Sequence, residues 1–227
     1  MALHDEPGLT FAARQLDPGT RMGEVLFGLI MTLSFTLGAG VLVSEDGQEG
    51  ARQLLMATAG CNLAWGLIDG VFYVLSQLFE RSRRNRVARR VSQAASPTEA
   101  RELVALEFDE TLKPITEPAQ RQAVYDTLVH RLRTTQLPPT RLRKSDLLGA
   151  LASAWLVFAC SFPAALPFAV FDDPALALRI SNAILLALLF VVGYRAARRT
   201  LARPWIVGAS FVAVGLALVL VSISLGG

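Results

Sequence analysis

Five long apolar segments, broken once by a polar insert of about sixty-five residues, decide what this chain can fold into. The runs are Val25 to Val43, Leu54 to Phe79, Leu147 to Phe171, Ile180 to Tyr194 and Trp205 to Leu225. Roughly 20 apolar residues in helical form cross a hydrocarbon core, so most of these runs are long enough to span. The fourth is short, but Pro174 can open its helix earlier, and Arg179 can reach back to the headgroups. The expected fold is therefore all-α, a polytopic membrane protein of five transmembrane helices with a small helical insert between spans two and three.

Basic residues orient such a chain. The stretch from Glu80 to Asp146 holds fourteen Lys or Arg against nine Asp or Glu, and Arg195, Arg198, Arg199 and Arg203 follow span four. The turn after span one carries Glu45, Asp46 and Glu49 against Arg52, and the turn after span three Asp172 and Asp173 against Arg179. Each connection fits the positive-inside rule for an N-terminus in the cytoplasm and a C-terminus outside. The implied organisation is an N-terminal cytoplasmic segment (1–20), helices one and two (21–80), a cytoplasmic helical insert (81–145) and helices three to five (146–227).

Composition narrows the function. With 52% hydrophobic residues, the spans use most of the apolar side chains, so no large soluble core remains. The net charge of +3 belongs to residues flanking membrane segments, where it sets topology and attracts acidic lipid rather than nucleic acid. Cys61 and Cys160 both lie inside apolar runs, which argues against a disulfide framework or a paired zinc motif. The start (His4, Asp5, Glu6, Pro7) lacks the basic and apolar regions of a signal peptide. Twenty of the twenty-two basic residues are Arg, a habit of GC-rich genomes that favours a bacterial inner membrane.

The insert has its own pattern. Arg81, Arg83, Arg84, Arg86, Arg89 and Arg90 continue the second span as a basic helix suited to anionic lipid. Ser96-Pro97-Thr98-Glu99 has the form of a capping box, predicting a helix from Pro97 to Leu112 whose apolar side is Leu103, Val104 and Leu106. Its acids, Glu102, Glu107, Asp109 and Glu110, are candidates for collecting metal ions. A second helix starts near Pro118, with Val124, Leu128 and Leu132 as its buried stripe, and stops at Leu137-Pro138-Pro139.

Polar residues inside the spans demand explanation, because each is costly in hydrocarbon. Asp69 lies near the middle of span two; Asn62, seven residues earlier, shares its face, and Tyr73 extends that stripe. In span one Glu24 and Met31 are also seven apart, with Gly28 between them. An interhelical hydrogen bond would account for Asn62 or Asp69 without any transport role, and an acid at a helix N-terminus for Glu24.

Gly23-Glu24-Val25-Leu26-Phe27-Gly28-Leu29-Ile30-Met31 resembles the first-span motif of vacuolar iron transporters, in which an acid is followed four residues on by glycine and three further by aspartate. Here Met31 stands at the aspartate position. Ala150 to Phe158, followed by Phe162-Pro163-Ala164-Ala165-Leu166-Pro167-Phe168, is similar to that family's small-residue run and paired-proline stretch. The span order, the insert and Arg203-Pro204-Trp205 resemble the family too. The resemblance implies a homodimer exchanging Fe²⁺ or Mn²⁺ for protons, with no permanently bound cofactor. The transport path would then include Asp69, Asn62, Glu24, Met31 and Tyr73. A non-transporting scaffold or lipid-contacting protein of the same fold stays open. Enzyme chemistry is disfavoured, since no helix places His and acids at metal-hydrolase spacing, and His4 and His130 fall outside the spans.

Overall fold

The computed structural model describes residues 10–38, 40–135, 138–198, 200 and 202–224, and the elements among them are helices. They are α1 (Phe11–Gln15), α2 (Pro18–Gly38), α3 (Gly40–Gln93), α4 (Pro97–Leu112), α5 (Pro118–Thr134), α6 (Lys144–Ala159), α7 (Phe162–Val170), α8 (Pro174–Ala197) and α9 (Pro204–Ser224). His4, Arg199 and Leu137 lie outside the described residues.

Four stretches are long and apolar enough to cross a membrane: Pro18–Leu37, Asp46–Gln93, Lys144–Val170 and Pro174–Ala197. The described apolar part of α9, Pro204–Leu218, is shorter than such a span. The boundaries differ from the expected ones for physical reasons. The first helix begins at Pro18, because Asp17 Oδ1 accepts from the backbone N–H groups of Gly19 (2.9 Å) and Thr20 (3.0 Å) and caps it. Hydrogen bonding, above all from Thr20, holds the Asp17 carboxyl below its ordinary range. The reversal between the first two spans is made at Gly47, whose φ of 54° and ψ of −121° suit glycine alone. The third span is divided: α6 stops at Ala159 because Pro163 lacks an N–H and its ring would meet the carbonyl four residues back. The fourth helix does begin at Pro174, with Asp173 Oδ1 accepting from Ala175 N at 2.9 Å, and reaches 24 residues.

The chain divides into two compact units, Met1–Val74 with Lys144–Gly227, and Leu75–Arg143. In the first, Leu29, Leu33, Cys160, Ala164, Leu185 and Leu189 from α2, α7, α8 and the α6–α7 junction form the main buried cluster. Gln48 donates to the Asp172 carbonyl at 2.7 Å, which places the two acid-rich turns together. Arg21, at the start of α2, and Arg195, at the end of α8, line one cavity, so these two helices run antiparallel. Large apolar side chains point outward along α3 (Leu67, Val71, Phe72) and along α6 and α7 (Leu151, Trp155, Leu166). In water such a surface would aggregate, whereas lipid solvates it.

The second unit is a three-helix cluster. Val91 from the end of α3 is buried with Ala100 and Val104 of α4 and Tyr125 and Val129 of α5. Ser96 and Glu99 cap α4 as expected, Ser96 Oγ accepting from Glu99 N at 3.1 Å and Glu99 accepting from Ala95 N at 2.8 Å. Two apolar stripes are corrected. Leu106 is 83% exposed while Ala100 and Val104 are fully buried, and the stripe on α5 is centred on Tyr125 and Val129, with Leu128 and Leu132 beside it and Val124 at the surface.

Candidate functional site

The first unit brings together acids that lie 45 positions apart. Glu24 on α2 is half-buried, and its Oε1 accepts from Ser153 Oγ of α6 at 2.6 Å. Its carboxyl and that of Asp69 on α3 are near enough to interact electrostatically. Asp69 Oδ2 is buried with no hydrogen-bond partner among the described residues. Two adjoining carboxylates repel each other at low dielectric unless a proton or a cation lies between them. The arrangement is thus chemically a pair of hard oxygen donors with one buried lone-pair position open.

Close backbone packing sets this geometry. A Cβ added to Gly66 would lie 2.7 Å from the Ala154 carbonyl oxygen, and one on Gly70 would lie 3.0 Å from that of Ala150. These glycines, four apart on α3, meet alanines four apart on α6, the small-residue crossing by which membrane helices approach. On α2, Gly28 fits against the Val157 carbonyl in the same way, at 2.8 Å.

Asn62 is fully buried, and its Nδ2 donates to Thr32 Oγ1 (2.8 Å), Val157 O (3.3 Å) and Gly28 O (3.4 Å). It ties α3 to α2 and α6, a packing role. Met31 is half-buried on α2 and takes no part in these hydrogen bonds. Tyr73 lies against Gly149, where a Cβ would come within 2.2 Å of the ring, and packs beside Ala12, Leu16, Ala152 and Leu156. It closes one end of the α3–α6 contact.

In the second unit the four acids of α4 do not converge. Glu107 pairs with Arg83 at 2.6 Å, and Asp109 with Lys113 at 2.7 Å and with the Tyr125 hydroxyl. Those hydrogen bonds, with Lys113 the leading cause, hold the Asp109 carboxyl below its ordinary range. Glu102 and Glu110 are exposed without ion pairs among the described residues. Eight residues on one helix separate them by about 12 Å, too far to ligate one ion. Among the described residues, no group of three or more His, Cys, Asp or Glu could hold a metal ion.

The model of the VIT family matches residues 75–227, about two-thirds of the chain. The chain belongs to the vacuolar iron transporter family. This is a family of membrane metal-ion transporters, not enzymes, and the outward apolar helices agree with an integral membrane protein. No curated protein matches the chain.

The match in this VIT-family chain begins at Leu75, so it takes in all of the second unit and α6 to α9. Glu24, Met31, Asn62, Asp69 and Tyr73 precede it. The six arginines after the second span fall within it, and they differ. Arg83 bridges Glu80 and Glu107, Arg84 meets Glu80 at 3.6 Å, and Arg81 donates to the Arg141 carbonyl at 2.8 Å. Arg86, Arg89 and Arg90 are exposed and form no ion pair among the described residues.

Ser153 and Asp146 are among the buried polar residues that escaped the sequence reading. Ser153 looked like one more small residue in an apolar run, and only its contact with Glu24 distinguishes it. Asp146, in the first turn of α6, is 3% exposed, yet by sequence it closes the polar insert. An acid in the first turn of an apolar helix was the available signal.

Proposed function

We propose that this protein carries a divalent metal ion, iron or manganese, through the membrane in exchange for protons, with Glu24 and Asp69 as the exchange element. One observation supports this reading above the rest: two acids from different helices meet beside Ser153, with a buried carboxylate oxygen unfilled. Hard oxygens suit Mn²⁺ and Fe²⁺, and a thioether such as Met31 adds a soft donor favouring iron over calcium. A homodimer would supply a second set of donors. The test is metal uptake into proteoliposomes with and without a pH gradient, and metal-dependent flux that responds to the gradient is the expected result.

The rival reading, a non-transporting scaffold, draws on the absence of a gathered ligand set among the described residues. Failure to detect flux with either ion would favour it. The acids of α4 discriminate further. Glu102 and Glu110 are left to attract cations, so replacing both with Gln should weaken Mn²⁺ binding about as much as neutralising all four acids. If binding is unchanged in both variants, the helix face is only solvated.

The finer topology includes α9 as a fifth span, with the N-terminus and the second unit in the cytoplasm. After Cys61 and Cys160 are replaced by Ala, Glu49→Cys and Asp172→Cys should react with an impermeant thiol reagent applied to intact cells. Ala95→Cys should not. Labelling at Ala95 would reverse the orientation. On this reading Arg86, Arg89 and Arg90 face anionic headgroups, and the membrane is a bacterial inner membrane.

A further inference from the structure

A cavity of about 290 Å³ opens between α1, α2, α6 and α8, well away from the second unit's arginines in sequence. Ala12, Met22, Val25, Leu156 and Val192 give it apolar walls, while Arg21 and Arg195 stand in its lining with Thr10. Neither arginine forms an ion pair among the described residues, and Arg21 Nε is buried without an acceptor. Of the two acids nearest Arg21 in sequence, Glu24 accepts from Ser153 Oγ, and Asp17 is engaged with Thr20 and with the backbone N–H groups of α2. A buried guanidinium N–H with no acceptor is costly, and the cost is relieved when a ligand oxygen accepts from it.

We propose that this cavity is a binding site for the phosphate of an acidic phospholipid. Guanidinium groups bind phosphate oxygens through paired N–H donors, and two arginines from different helices line this cavity. The N-terminal end of α2 adds its positive dipole. The cavity lies near the low end of the roughly 300–1,000 Å³ typical of small-ligand pockets, room for a headgroup but not a whole lipid. Its apolar lining continues the environment that the glycerol and first methylenes of the chains require. The basic ends of α2 and α8 are also where the positive-inside pattern places acidic headgroups. A soluble phosphate would use the same arginines but would gain nothing from the apolar wall.

The full-length protein, purified in detergent, is titrated with phosphatidylglycerol or phosphatidylcholine, and bound lipid is counted by native mass spectrometry. Wild type should retain phosphatidylglycerol preferentially. R21Q/R195Q should lose that preference by about tenfold or more, the loss expected when charge-assisted phosphate contacts are removed. R86Q/R89Q/R90Q, with equally basic but exposed side chains removed, should keep it. Equal retention by wild type and R21Q/R195Q would overturn the proposal, as would a loss in the exposed-arginine variant alone. If R21Q/R195Q fails to fold, V192F, which fills the apolar wall and leaves both arginines, must lower retention, and unchanged retention overturns the site. Inorganic phosphate and glycerol 3-phosphate form the second arm: displacement of the lipid at comparable concentration would assign the site to a soluble phosphate and overturn the lipid assignment.

Discussion

Asp69→Asn should abolish pH-coupled metal flux while leaving the protein folded and inserted. Burying a charged carboxylate in a span costs about 2.5–3.5 kcal/mol on insertion scales, a burden that Asn removes at nearly the same volume. Asn can still hydrogen-bond to Glu24, so packing between α2 and α3 should persist, and expression should be equal to or better than that of wild type. It cannot carry charge or exchange a proton. Glu24→Gln should reduce flux less completely, since Gln keeps an acceptor for Ser153 while Asp69 remains ionisable. Asp69→Glu separates charge from geometry. It retains the carboxylate but extends it by a methylene toward Glu24, so partial flux is expected. The measurement is Mn²⁺ uptake by proteoliposomes under an imposed pH gradient, with thermal unfolding of each variant as the folding control. Full flux from Asp69→Asn would remove the carboxyl pair from any transport mechanism.

What the sequence disclosed about this site follows from how far each signal reaches along the chain. Asp69, Glu24 and Asn62 stand out because a polar residue in an apolar run is conspicuous by itself. Their partners are not, because pairing depends on how α2, α3 and α6 pack. Asn62 and Asp69 share a helical face, yet one binds a backbone carbonyl and a threonine while the other faces a second acid. Seven-residue spacing could not separate the two roles. Local signals reached further in the caps: Asp173-Pro174 and Ser96-Pro97 set helix starts to the residue, since capping is decided within one turn.

The apolar stripes of the second unit were legible only in part, because their contacts, unlike the caps, are not decided within one turn. Periodicity puts Leu106 and Val124 on the buried side together with Leu103, Val104, Leu128 and Leu132. The end of α3 instead packs as a third helix, and Ala100 and Val104 on α4 and Tyr125 and Val129 on α5 make the close contact. Tyr125 is buried because Asp109 satisfies its hydroxyl, a partnership between two helices that periodicity cannot register. That same contact draws Asp109 out of the set of acids available to a metal ion. Each miss is a long-range contact overriding a reading built on a single helix.

Gly66→Leu should be among the most destabilising single changes in the first unit, and its matched control is Gly60→Leu on the same helix. At Gly66 the first added carbon would sit 2.7 Å from the Ala154 carbonyl oxygen and 3.1 Å from its Cα, atoms of a helix backbone that cannot rotate away. At Gly60 nothing lies within 4 Å. Leucine improves helix propensity over glycine at both positions, by somewhat under about 1 kcal/mol, so propensity cannot explain a difference between them. Relief at Gly66 requires α3 to move off α6, and overpacking of this kind typically costs about 1–3 kcal/mol. The same movement would pull Asn62 from the Val157 carbonyl and shift Asp69, three residues from Gly66, away from Glu24. Gly66→Leu should therefore lower the unfolding temperature in detergent and reduce flux in whatever protein survives, whereas Gly60→Leu should be neutral or mildly stabilising in both assays. If the two variants unfold at the same temperature, α3 and α6 do not touch at Gly66, and the positioning of the carboxyl pair would need another source.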